Sequence, residues 1–593
     1  MILQSLIAYA ERENLGDADF ETVAVRWLIP LDKTGQLVGR PIPLTENPND
    51  KWPRPKQMVR PFTSPNELSR GKKSHFLCDT LERATLLLDP KAPERADARR
   101  VQHGYFQFLL KEAAALCPAD FPRLQAVVSF LQNEKAILEV HGQLALLRAK
   151  PSDNVTFAVD GFNLLDSKSL KSFWRNRRRH SAAAPSARVR RVCVATGELA
   201  ETLDTTEKIK GVPGGLATGT TLISFGQDSF CSFGLEQAQN SAISRPAELK
   251  IRSALNKLIE RSRQRKLIFN ETAHLHWTRK PIEHDPFDLL ATADENAVAA
   301  LLKFSRAGQR PTTFDTNAYY ALSLSGNGAR IVVRDWLEST VRAVERHVAQ
   351  WFEDLGVVSP AGTGVKRDFK FGTLLYGMVR AELNELPPAF STQLLYGALR
   401  GRNTPLPRSA LAAAIRRQHL DKETKLNPAR LALIKACLIR SPNRKETDTM
   451  TERLDFDSKD RAYCCGQLFA VIGQLQLLAL GPVNASIADR IYGSVATRPA
   501  TAFGPVFRKV PAYIKKADTR FPGSGSNKQR ELESLCQRID DLGGIPETLG
   551  LEEQGRFALG YYCQLAQYRS DQVEAEAAKK SEEHGDETSE SPE

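Results

Sequence analysis

The chain of 593 residues has nine cysteines and ten histidines, and neither type falls into a metal-binding or catalytic pattern. There is no C-x-x-C pair, and the adjacent Cys464 and Cys465 lie within a helical period. An odd, scattered set in a long chain excludes a disulfide framework and a zinc quartet and fits a reducing compartment. No apolar run reads as long enough to span a bilayer. The start, MILQSLIAYAEREN, lacks both a basic n-region and a small-residue cleavage site. These absences imply a cytoplasmic chain with no membrane partner. No Ser/His/Asp or Cys/His spacing is readable. The pair His284-Asp285 has the form used by metal-dependent phosphohydrolases, but no second His/Asp set accompanies it. His274-x-His276 could ligate a metal from a strand, although a solvent-facing or hydrogen-bonded pair is the simpler reading. The expectation is a non-enzymatic protein with no cofactor and no metal.

What the sequence has is positive charge. The net charge is +12, and the last 23 residues, Asp571–Glu593, contribute −7, leaving about +19 on the remaining 570. Such an excess favours a polyanion, because Lys and Arg neutralising phosphates are the main sequence-independent source of nucleic-acid affinity. Charge alone is also compatible with a basic soluble protein of another kind.

The charge gathers in three windows. Residues 51–73, KWPRPKQMVRPFTSPNELSRGKK, carry Lys51, Arg54, Lys56, Arg60, Arg70, Lys72 and Lys73 with Gly71 and four prolines, and show no helical period. A basic loop of this length is usually functional or disordered. Residues 168–191 interleave Phe173 and Trp174 with Arg175, Arg177, Arg178 and Arg179, then Arg188, Arg190 and Arg191. Cations for phosphate and rings for bases are the mixture of a single-strand groove, and a solvated loop beside one core Trp is the alternative. The third window, KIKGVPGGLATGTTLISF, places Lys208 and Lys210 before Gly211, Gly214, Gly215 and Gly219, with Thr218 and Thr220 alongside. Gly214-x-x-x-x-Gly219-Thr220-Thr221 has P-loop spacing, but Thr220 stands where the phosphate-reaching lysine belongs. The loop also opens a strand, Thr220–Phe225, where a P-loop opens a helix. A backbone-and-lysine clamp on nucleic acid and a tight turn in a sheet both remain open.

Periodicity predicts an α+β fold. A helix over 1–13 precedes an N-terminal hairpin in Thr22–Leu31 and Gln36–Gly39. Arg99–Cys117, Phe121–Leu131 and Leu249–Arg263 read as helices, and Gln143–Leu147, Val155–Val159 and Arg188–Val194 as strands. YYALSLSGNGARIVVRDW is a hairpin turning at Ser325–Gly328. This mixed region, 1–345, is followed by a helical middle region, 346–448. That region holds Val341–Leu355, Gly372–Glu385, Ser391–Leu399, Pro407–Gln418 and Ala429–Arg440. A breaker-rich boundary then leads to a C-terminal helical bundle, 450–570. Its helices are Ala462–Leu480, Ile487–Ala496, Phe503–Lys516, Lys528–Leu542 and Glu552–Tyr568. The acidic tail, 571–593, is expected to be disordered.

Long collinear segments resemble a known family. They include MILQSL, VRWLIPLDKTGQL, FLCD at 76–79, CVATGE at 193–198, KIKGVPGG, TGTTLISF and SFCSFGLEQAQNSAIS. They continue through YYALSLSGNGARIVVRDW, LNPARLALIKACLIR at 426–440, NASIADRIYGSVATRPATAFGP and LEEQGRFALGYY at 551–562. The chain resembles the large subunit of the type I-C CRISPR surveillance complex (Cascade, Dvulg subtype). The resemblance implies partnership with a guide RNA (crRNA), the backbone and foot subunits of the complex, target double-stranded DNA and a recruited helicase–nuclease. It implies that the subunit reads a short protospacer-adjacent motif, assists strand opening and holds displaced strand. On that reading the first and third windows meet the motif-bearing duplex and the second guides the displaced strand. Lys509, Lys515, Lys516, Arg520, Lys528 and Arg530 line a further single-strand path. Related systems also make a small subunit from within the large-subunit gene, and Met450 stands where such a product would start. A nucleic-acid processing enzyme with an unrecognised site, or an architectural guide-RNA-binding subunit, is the alternative.

Overall fold

The structure is a computed structural model. It describes the chain except residues 16, 18, 47–53, 64–67, 69–71, 183–189, 308–315, 388, 422–426, 445–449 and 587–593. The fold is α+β, as expected from the periodicity. It forms two compact units, one of Leu3–Glu207 with Ser224–Ala254, the other of Lys208–Ile223 with Leu255–Glu593. The glycine loop thus belongs to the second unit, and the division falls at 254/255, inside the helix Arg245–Gln264.

In the first unit, the strands are β1 (Phe20–Val25), β2 (Trp27–Leu31), β3 (Ile42–Pro43), β4 (Lys56–Pro61), β5 (Cys78–Thr80), β6 (Asn154–Val159) and β7 (Phe162–Asn163). A sheet of order β3-β2-β6-β5 has β7 paired to β6, and β2 and β6 run parallel. The sequence NVTFAV of β6 is buried from Val155 onward, as suits a central strand covered on both faces. Beside it β1 pairs antiparallel with β4, so the basic window 51–73 contains a strand and is not all loop. The helices Ala96–Leu116, Phe121–Gln132, Glu134–Leu146 and Lys168–Ala182 supply Phe106, Leu110, Leu124, Phe130, Leu144, Phe173 and Trp174 to the same core. The small hairpin β8 (Arg190–Val192) and β9 (Leu199–Glu201) follows. The expected strand Gln143–Leu147 is instead the last turn of the Glu134–Leu146 helix. Asn133 caps that helix by accepting from the Ala136 N–H, and Val140 and Leu144, four residues apart, are both buried.

The second unit is built on an antiparallel sheet of β10 (Ile268–Phe269), β11 (Thr272–Thr278), β12 (Ala318–Asn327) and β13 (Arg330–Thr340). The β12–β13 turn falls at Gly328-Ala329, at the end of the expected Ser325–Gly328 stretch. Val341–Asp354 lays Val341, Val344, Val348, Trp351 and Phe352 along one buried stripe. A short hairpin, β14 (Val357–Val358) and β15 (Val365–Lys366), precedes the helices Phe371–Tyr376, Ala389–Arg400, Arg408–Leu420 and Pro428–Ile439. The expected helix Gly372–Glu385 is cut to Phe371–Tyr376 and a single 3₁₀ turn, Leu383–Glu385.

The C-terminal helices are Arg461–Leu480, Ile487–Thr497, Pro499–Phe507, Val510–Arg520, Ser524–Asp541 and Leu551–Asp586. The expected Phe503–Lys516 breaks at Arg508-Lys509, with Pro511 in the next helix's first turn, where no N–H is needed. Arg461–Leu480 is, contrary to the sequence expectation, long and apolar enough to cross a bilayer. It is largely buried, with Leu468, Phe469, Ile472 and Leu475 in the bundle core. The last helix continues to Asp586, so the acidic tail is helical for much of its length. Ala, Glu, Gln and Lys, strong helix formers, dominate that stretch. One apolar core joins residues from Leu267 to Leu438 with Ala558, Leu559, Tyr562, Cys563 and Ala566, running across both 345 and 449.

Candidate nucleic-acid interface

The glycine loop is built against the tip of the β12–β13 hairpin. The Gly326 N–H donates to Pro213 O (2.7 Å), Leu216 N–H to Gly328 O (3.2 Å) and Thr221 N–H to Ala329 O (2.8 Å). The Ile331 N–H donates in turn to Thr221 O (3.0 Å). Glycines are required where the two chains meet: a Cβ on Gly326 would sit 2.3 Å from the Gly215 backbone. Gly214 and Gly219 have φ of +70° and +99°, which side-chain-bearing residues rarely adopt. Gly219 and Thr220 are buried, and Thr220 meets the protein interior instead of a phosphate. The expected strand Thr220–Phe225 is reduced to bridges at Thr220 with Ile209 and at Thr221 with Arg330. The solvent side of the loop presents Lys208, Lys210, Gly214 and Thr218, with Lys208 Nζ 3.4 Å from Thr218 Oγ1. Arg330, which the sequence reading missed, starts the adjoining strand.

Among its described residues, the arginine-rich second window is mostly helix. Residues 168–182 are one helix, and Phe173 and Trp174 face the core, where Trp174 stacks on Phe76 at 5.4 Å. Arg175 pairs with Asp17 (2.6 Å), Arg177 with Glu112 (2.8 Å) and Arg178 with Asp19 (2.9 Å). Arg178 also donates to Phe62 O, and the Phe62 ring lies against both Arg178 and Arg252. These arginines fasten the helix to neighbouring elements. Arg190 donates to Leu199 O and Arg191 to Gln239 O, holding the β8–β9 hairpin. Arg188 and the side chain of Arg179 lie outside the described residues.

The first window divides similarly. Arg60 is buried, paired with Glu21 at 2.8 Å and donating to Cys78 O, with His75 Nε2 at 2.8 Å. Its guanidinium is thus held inside the fold by these partners. Arg54, Lys56 and Lys72 are exposed, and Lys73 is half-buried. Lys51, Arg70 and Gly71 lie outside the described residues.

The helix Val510–Arg520 and its approaches carry a group of exposed cations. Lys509, Lys515 and Lys516 are exposed and make no ion pair among the described residues, and Arg508, not singled out from the sequence, joins them. Lys509 is the N-cap of this helix, and Lys516 lies seven residues on, about two helical turns. Phe521, half-exposed, lies against Arg520. Lys528 is drawn inward by Glu531 and the Tyr568 ring, and Arg530 donates to Asn527 Oδ1. A groove of about 1090 Å³ near Tyr376 was also not foreseen. Arg417 and Arg430 line it and share Asp421, and exposed Arg380 and Arg416 carry no ion pair among the described residues.

The two histidines of His274-x-His276 are both buried on β11. His274 Nδ1 lies 2.7 Å from Ser323 Oγ, and burial pushes its pKa down to about 3. His276 instead meets the helix Pro286–Thr292, where Asp285 is the cap and accepts from the Phe287 N–H at 3.0 Å. His276 Nε2 is 3.2 Å from Asp285 Oδ2 and 3.4 Å from Asp288 Oδ1. Among the described residues this is the group able to hold a metal.

One family, described as CRISPR-associated protein (Cas_Csd1), matches residues 6–569. No curated protein matches the chain.

Proposed function

Because this chain belongs to the CRISPR-associated Csd1 family, the large subunit of the type I-C Cascade, we propose that it serves that complex as its duplex reader, without a catalytic step of its own. The family works in a Cascade with other Cas subunits. The observation that supports the reading is the glycine loop seated on the hairpin tip, with Lys208, Lys210 and Thr218 turned to solvent. Gly214 and Gly219, at positive φ, set the shape of the loop, and close packing of Gly215 on Gly326 seats it on the hairpin, so that Lys208 and Lys210 are held toward a groove edge beside half-exposed Leu216. The guide RNA reads sequence by pairing, so a short rigid reader of the flanking motif is what the protein must supply. The free cations of Arg508–Lys516 take the displaced strand's phosphates, and half-exposed Phe521 offers a ring to its bases. The opened duplex is then the signal that recruits the helicase–nuclease.

The test is duplex binding by the guide-loaded complex, with and without this chain, on targets with a randomised flank. A preference for a few flanks that appears only with the chain, and is lost on Lys208→Glu/Lys210→Glu, supports the reading. Equal gains on every flank would reduce the chain to an electrostatic clamp. Metal-dependent cleavage by the purified chain would overturn the non-enzymatic part.

A further inference from the structure

We propose that His276, Asp285 and Asp288 form a divalent-cation site of the zinc class, which staples β11 to the helix Pro286–Thr292. The first ground is distance. Tetrahedral ligands bound at roughly 2.0–2.1 Å stand roughly 3.3 Å apart. Nε2 of His276 lies 3.2 Å from Asp285 Oδ2 and 3.4 Å from Asp288 Oδ1, and one ligand atom from each of the three residues falls within 4.8 Å of the others.

The second ground is an unmet imidazole. His276 is 2% exposed, and neither of its approaches to the carboxylates has hydrogen-bond alignment. Asp288 Oδ1, facing the same point, likewise has no hydrogen-bond partner. A buried polar atom in that state is costly unless something occupies the gap.

The third ground is the surrounding shell. Asp285 Oδ1 accepts from the Tyr319 hydroxyl at 3.2 Å and from the Phe287 N–H at 3.0 Å. The far oxygen of Asp288 is taken by Arg265. The Phe287 ring stacks on the imidazole at 4.2 Å and fixes its plane. Ligating carboxylates and histidines are oriented in this way by outer partners. Asp288, 29% exposed in its side chain, would be the side from which the ion enters, and a water would complete the set as fourth ligand. One imidazole and two carboxylates suit zinc better than magnesium, which prefers an octahedral, largely hydrated oxygen set.

Arg261 opposes the cation, with Nη2 3.5 Å from Asp285 Oδ2, the oxygen that faces His276. This gives the site an opposite-sign test. The full-length chain, stripped with chelator and dialysed, is titrated with zinc chloride by calorimetry, and metal content is measured by mass spectrometry. One zinc per chain is expected, with a rise in Tm. Asp288→Asn should weaken binding by about tenfold or more, and Arg261→Gln should tighten it. Cobalt should give tetrahedral visible absorption that Asp288→Asn abolishes. No uptake, or uptake and cobalt spectrum unchanged in Asp288→Asn, would overturn the site. Asp288 lies at the exposed end, so that variant keeps the test valid even if His276→Gln fails to fold.

Discussion

At the scale of single residues, Glu248 shows how burial sets behaviour that composition cannot. Burial pushes its carboxyl up to about 7, with Glu207 adding to the rise and Arg252 opposing it. The native state therefore holds a proton that the unfolded chain has lost, so stability falls as pH rises from the unfolded value of about 4.5 through about 7. Removing the charge should abolish that slope. Glu248→Gln is expected to keep its Tm between about pH 5 and about pH 8, where the unaltered chain loses up to about 3 kcal/mol. Parallel slopes in the two proteins would refute the assignment. The same scale separates structural from available cations. Arg60, Arg175, Arg177 and Arg178 were legible as charges, but their partners Glu21, Asp17, Glu112 and Asp19 lie 39 to 159 positions away in sequence. No local pattern reveals such a pairing.

At the scale of elements, close backbone approach recurs where glycines face other chain segments. Gly215 and Gly326 let the loop touch the hairpin. Gly466 and Gly560 let the helices Arg461–Leu480 and Leu551–Asp586 pack so tightly that a Cβ at either would lie 2.1 Å from a carbonyl oxygen. Gly326→Ala is expected to cost about 1–3 kcal/mol and to displace the loop. Duplex affinity of the assembled complex should then fall although no charge is lost. Unchanged affinity with lowered stability would separate the loop from DNA reading. The glycine density of Lys208–Ile223 was plain from the sequence, but not the surface it needed. Spacing alone left a clamp and a sheet turn open, and the tertiary contacts make the loop an addition to the hairpin tip.

At the scale of the whole molecule, the continuous core bears on the product expected from Met450. Met450 is itself partly buried against that core. Tyr562 donates to Val358 O at 2.6 Å, and Gly555 lies against Ile434 and Leu438. A fragment of residues 450–593 would expose Leu559, Tyr562 and Ala566 to water. It is expected to be helical but to self-associate, or to melt well below the full chain. A monomer as stable as the full chain would contradict this. Charge behaves as a sum only over free groups. Neutralising Arg508, Lys509, Lys515 and Lys516 should flatten the salt dependence of strand binding by up to about 3 in the log–log slope. Neutralising Arg175, Arg177 and Arg178 should chiefly lower Tm.

The α+β class, most helices, the central β12–β13 hairpin and the excess of positive charge were written locally, in apolar period, turn residues and composition. Family membership was written in long collinear segments. The tertiary structure decided which cations remain free, where the cores run and that His276 meets Asp285 and Asp288. Each of those depends on groups far apart in sequence, brought together only when apolar surfaces are buried, and burial then sets which charges are paired and which protons are held.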